Sequence, residues 1–194
     1  MYLTTVMTGS DGGAAVTRTT IVDRLTGAQI GFVDVEGRPT TYVLPSADDN
    51  HLLQVTESTD AAFEKRTTLA VIDTRTATVI GGPTTFDSAL HTVLYTADGS
   101  HIVAVTQPGK ETRGPVGTVF FTRYSGPTTF TLIDMSTGAV VGDPLVIDST
   151  FTHWAASLGN NGDRAIAVMS TRDEADTPVS HVYVLDIDGN VTAT

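Results

Sequence analysis

The side chains able to exchange a proton near neutral pH are five histidines, His51, His91, His101, His153 and His181. Zinc on a helix needs histidines one turn apart, and no two of these stand at that spacing. His51 and His101 each open an apolar run at equivalent places in the chain, so they read as residues favoured at a strand start and not as partners in one site. Acidic turns are the other place for chemistry. Asp186, Asp188 and Asn190 have the opening spacing of an oxygen-rich calcium loop, and residues 48–50 and 160–163 are similar. No acidic residue follows at the distance that closes an EF-hand cage. Asp, Asn and Gly are also what tight hairpins require, for positive φ or side-chain caps. These turns are therefore expected to be structural; no cofactor is expected, and calcium is the one cation they invite.

No motif that activates a nucleophile is present. The chain has no cysteine, which excludes disulfides, thiolates and Cys-ligated metals. No Gly-x-Ser-x-Gly elbow is present, and Ser10-Asp11-Gly12-Gly13 is a turn with no helix behind it to cradle a phosphate. A formal net charge of -11 opposes binding to phosphate backbones and to anionic membranes, so nucleic acid is not an expected partner. No stretch is long and apolar enough for membrane insertion. The opening residues, Met1 to Val6, lack the basic and apolar regions of a signal peptide.

The elements that must position any site follow from composition and repetition. Thr, Val and Gly are abundant and no amphipathic helical period is present, which favours strands and turns. Residues 20–31 recur as 70–81, as 132–142 and, shortened, as 184–191: two apolar residues and an Asp, a turn, then a second apolar strand. A second motif interleaves with it. Residues 44–56 match 94–106 and 157–169, each a strand, a tight Asp/Asn/Gly turn and a strand. The repeated Asp23, Asp73, Asp134 and Asp186 are 50, 61 and 52 residues apart, the period of a four-stranded propeller blade and not of a helical or leucine-rich solenoid. The Asp is expected to bond the backbone amides of its own turn.

These motifs resemble the YVTN-type and WD-repeat-like β-propellers of bacteria, and the Thr-rich wording is similar to that of large actinobacterial surface proteins. The Trp-Asp dipeptide of true WD repeats is replaced by Val22-Asp23, Ile72-Asp73, Ile133-Asp134 and Leu185-Asp186. The resemblance implies an all-β chain of about four blades, the first partial at 1–36 and the others at 37–86, 87–147 and 148–194. Innermost strands are implied near 40–47, 91–97 and 151–158, with second strands at 2–8, 51–57, 101–107 and 164–171. The first blade then lacks its innermost strand, so the chain is expected to be an incomplete ring, completed by further blades or by another copy. His91 and His153 would fall on neighbouring inner strands, and Trp154 in the core between blades.

The most variable connections, 9–16, 57–66, 107–128 and 171–181, all join second to third strands, and in such propellers they share one face. The run 116–124 adds three aromatics and an Arg to strand-like residues, as either a protruding hairpin or a lengthened strand. The candidate binding face is therefore Phe120, Phe121, Arg123 and Tyr124, with Glu57 and Arg172 at the borders of neighbouring loops. The expected function is noncatalytic recognition of a protein or polysaccharide at a bacterial cell surface. The alternative is part of a propeller enzyme, lactonase-like or quinone-dependent, with an axial site.

Overall fold

The computed structural model describes residues 2–8, 15–46, 49–96, 98–113, 120–155, 164–172, 177–187 and 191–193. Among them the regular elements are all strands, paired antiparallel, with no helix. The candidate calcium turns at 160–163 and 188–190 and the turn at 10–13 lie outside the described residues, as does Asp48.

The first sheet has the order β1 (Tyr2–Thr8), β2 (Ala15–Val22), β3 (Gln29–Glu36). The second runs β4 (Arg38–Pro45), β5 (His51–Thr59), β6 (Lys65–Asp73), β7 (Thr78–Val79), and β8 (Thr84–Phe86) also pairs with β6. Its outer position, expected as one strand, is thus divided between two short ones. The next strands are β9 (Ala89–Tyr95), β10 (His101–Gln107), β11 (Gly109–Arg113), β12 (Phe120–Tyr124), β13 (Thr128–Asp134) and β14 (Val140–Ile147). The third sheet takes β9, β10, β13 and β14 in that order across it, while β11 and β12 pair as a separate hairpin. The fourth is β15 (Thr150–Ala155), β16 (Arg164–Arg172), β17 (Pro178–Ile187), β18 (Val191–Ala193). First strands begin one or two residues before the expected limits. Each carries a register shift, at Pro39/Val43, opposite Val105/Thr106 and at Phe151/His153, and a bulge spends an extra residue on the same length of partner.

The chain divides into two compact units, Met1–Asp87 with Met135–Ala139, and Ser88–Asp134 with Val140–Thr194. In the first, Ile21, Val33 and Val35 of the first sheet pack with Leu52, Ala70, Ile72 and Ala77 of the second. In the second, Val103, Val105, Phe130 and Leu132 of the third sheet pack with Ala167, Met169 and Leu185 of the fourth. Both cores are built by strand alternation, one face of each sheet meeting one face of the next. Threonines close the crossovers between sheets. Thr17 donates to the Gly37 carbonyl at 2.8 Å and Thr128 to the Ser149 carbonyl at 2.8 Å, each hydroxyl satisfying a backbone acceptor where the chain leaves one sheet for the next. Buried Thr, 0% exposed at both positions, is thus explained by a partner that Val could not serve.

In the first two copies, Asp23 and Asp73, the repeated Asp caps its turn. Asp23 Oδ1 accepts from the amides of Leu25 and Thr26, both at 2.8 Å, and Asp73 Oδ1 accepts from Arg75 N at 2.8 Å. The amide bonds from Thr26 and Leu25 hold the Asp23 carboxyl below its usual range, and the Arg75 side chain and amide do so for Asp73. Four residues on, the chain turns left-handed: Gly27 has φ 72°, Gly138 φ 68°, and Ala77 takes the same place at φ 52°.

Candidate functional site

Pro108 separates β10 from β11 and withholds a backbone donor at the point where the third sheet gives way to the β11–β12 hairpin. The two arms are rejoined at the foot by Ser125 N donating to the Pro108 carbonyl at 2.9 Å. Gly109 resumes pairing opposite Tyr124, and the register runs on to Arg113 opposite Phe120. Gly109 is buried because neighbours crowd it: an added Cβ would lie 2.8 Å from Ala89 Cβ and 2.8 Å from Thr122 Cγ2.

Gln107, 0% exposed at the end of an apolar strand, anchors this foot. Its Nε2 donates to the Gly126 carbonyl at 2.7 Å, which turns its Oε1 toward His91 Nε2 at 2.8 Å. The amide oxygen can only accept, so His91 carries its proton on Nε2 and presents Nδ1 as an acceptor. The His91 ring lies against Tyr124, centroids 4.1 Å apart and tilted by 30°. Burial pushes the imidazole below its ordinary range, opposed by the bond to Gln107, which leaves it neutral at neutral pH. A strand from the sheet, its crossing partner and the hairpin therefore meet in one polar cluster: His91 on β9, Gln107 on β10 and Tyr124 on β12.

The structure places Phe120, Phe121, Arg123 and Tyr124 together on β12, opposite Arg113, Thr112, Lys110 and Gly109. The hairpin is separate from the third sheet, not a lengthened strand of it. Glu57 is elsewhere, half-buried on β5 between Arg38 and Thr67. Arg172 ends β16 opposite Pro178. His153 lies on β15, but its side chain and that of Trp154 are outside the described residues, so the expected pairing with His91 is not described. Among the described residues no three His, Asp, Glu or Cys side chains gather to hold a metal.

Sequence reasoning passed over Gln107. The available signal was an amide closing an apolar run just before a proline, where an unpaired polar group is costly. His51 and His101 open β5 and β10, the strand starts expected of them, and the register adds a relation that the sequence did not show. Each stands directly across from the repeated Asp, His51 from Asp73 and His101 from Asp134, and Arg164 takes the same place across from Asp186.

No family model matches the chain, and no curated protein does. Among solved structures it is similar to a variant of the Synechocystis apocarotenoid oxygenase, with TM-score 0.48 and 13% identity over 97% of this chain and 45% of that one. An uncharacterized protein of Listeria monocytogenes is similar with TM-score 0.46 and 16% identity over 100% of this chain and 50% of that one. The chain thus spans about half the length of the structures it matches.

Proposed function

We propose that the four sheets are blades of a β-propeller segment whose role is recognition, with the β11–β12 hairpin as the arm that meets a protein or polysaccharide at a bacterial cell surface. One observation carries this reading: the third sheet breaks at Pro108 to send out a paired hairpin bearing Phe120, Phe121, Arg123 and Tyr124, and holds its foot with a wholly buried Gln107. Aromatic and Arg side chains are those that dominate interface energetics, and a rigid base lowers the ordering cost of binding. His91 serves here as part of the anchor, its Nε2 and one ring face engaged by Gln107 and Tyr124.

The test compares the intact chain with a variant in which residues 110–123 are replaced by an Asn-Gly turn, on a panel of bacterial cell-wall polysaccharides by titration calorimetry. Binding lost with the hairpin, while far-UV circular dichroism is unchanged, supports the arm. Binding undiminished in the shortened variant sinks it.

A further inference from the structure

Among the described residues, three other than glycine hold a positive φ: Asp49 at 57°, Phe63 at 66° and Ala77 at 52°. In this region Cβ crowds the backbone, and a short polar side chain that bonds locally offsets the cost. Asp49 is a residue of that kind. Ala77 is explained by packing: it is 8% exposed in the core of the first unit, where a Cβ added at Gly31 would meet its own at 2.7 Å. Neither reason applies to Phe63, whose ring is bulky, forms no hydrogen bond and is 50% exposed.

The loop between β5 and β6 is built to hold Phe63 there. Asp60 Oδ1 accepts from the amides of Ala62 and Glu64, at 2.8 and 2.9 Å. Phe63 N donates to the Asp60 carbonyl at 3.0 Å, and Asp60 N donates to the Glu64 carbonyl at 3.1 Å. Four bonds across five residues fix the turn, and the two residues before the ring, Ala61 and Ala62, are exposed and too small to cover it. β5 and β6 are interior strands of their sheet, each paired on both sides, so the exposure of this tip belongs to the hairpin and not to a sheet edge. A backbone outlier that its loop enforces and the core does not need is the kind of strain that marks a functional site.

We propose that Phe63 is a stacking platform for a neutral glycan of flat, equatorially linked pyranose rings. The occupant follows from the ring and the charge. An aromatic ring held out on a rigid loop offers a flat apolar face with little ordering left to do, and the C–H groups on one face of an all-equatorial pyranose form a matching flat surface. A net charge of -11, with Asp60 and Glu64 in the loop itself, selects against glycans that carry phosphate or uronate. The inference rests on the reading that the chain recognises a glycan, and not on the β11–β12 hairpin as the arm that does so.

Titration calorimetry with cellohexaose and with the β-1,4-linked hexamer of N-acetylglucosamine decides it, on the full-length wild type, Phe63→Asn, Phe63→Tyr and the variant with residues 110–123 replaced. Phe63→Asn removes the ring and supplies a residue that tolerates φ 66°, so its urea midpoint is expected to rise while its affinity falls at least about tenfold. Phe63→Tyr keeps the ring and is expected to bind as the wild type does. A wild type that takes up neither hexamer overturns the proposal. So does a lowered urea midpoint in Phe63→Asn, which would assign the ring to the fold. Binding lost on shortening the hairpin but intact in Phe63→Asn keeps the arm and overturns Phe63; binding lost in Phe63→Asn but intact in the shortened variant supports Phe63 and removes the arm.

Discussion

His101 on β10 stands directly across from Asp134 on β13, its Nε2 3.7 Å from the carboxylate oxygen. The same register position is His51 with Asp73 in the second sheet and Arg164 with Asp186 in the fourth, where Arg164 Nε is 3.4 Å from Asp186 Oδ1. A His or Arg side chain opposite the repeated Asp thus recurs in three of the sheets, where the start of one strand meets the end of its neighbour. Both side chains of the His101 pair remain part-exposed, at 29% and 28%, so water screens the attraction. A double-mutant cycle with His101→Ala and Asp134→Ala, read by urea denaturation, is expected to give a coupling below about 1 kcal/mol.

The turn before β10 depends on Asp98. Its carboxylate accepts from the Ser100 amide at 3.0 Å, from the Thr96 hydroxyl at 2.7 Å and from the Ser100 hydroxyl, led by the Ser100 amide in holding it down to about 2. A depressed folded value stabilises the fold above the unfolded value and loses that contribution as pH falls. Asp98→Ala is expected to cost about 1 kcal/mol at neutral pH, no more because the group faces water. The gap from wild type should hold above the ordinary 3.8 and narrow as pH falls toward about 2, followed by thermal melts across that range.

His91 makes the fold pH-sensitive at a milder range. Its folded value lies below the unfolded 6.5, so as pH drops the unfolded chain takes up a proton first and stability falls. Urea midpoints of the wild type are expected to decrease from pH about 7.5 to about 5.5, and part of that slope should vanish in His91→Phe. An identical slope in both proteins would exclude His91 as its source.

Gly109→Ala sets a methyl 2.8 Å from both Ala89 Cβ and Thr122 Cγ2, at a foot closed on several sides. Overpacking of this kind is expected to cost about 1–3 kcal/mol by chemical denaturation. Gln107→Met keeps the volume and removes both amide bonds, leaving the Gly126 carbonyl and His91 Nε2 without that partner. A loss of about 0.5–1.5 kcal/mol is expected from the same measurement, the net worth of hydrogen bonds whose remaining partners, half-buried His91 and exposed Gly126, can turn to water.

Most of the strand plan was legible in the chain itself. The repeated Asp, the Asp/Gly turns and alternating apolar residues are local signals, and β1, β5, β10 and β16 begin where they predict, at Tyr2, His51, His101 and Arg164. The Asp23 and Asp73 caps were equally accessible, because a side chain bonding amides two and three residues on needs no distant partner. What sequence could not supply were relations set by register and packing across long separations. The bulge in each first strand, the hairpin's separation from the third sheet at Pro108 and the division of the outer strand into β7 and β8 depend on how neighbouring strands align. The roles of His101 and Gln107 belong with these: one is decided by the residue across a strand 33 positions later, the other by His91 and Gly126 converging from two directions. Local turn chemistry acts within a few residues and repeats visibly. Partner choice among buried polar groups is settled only when strands separated in sequence are brought into register, since only then does each donor meet an acceptor shielded from water.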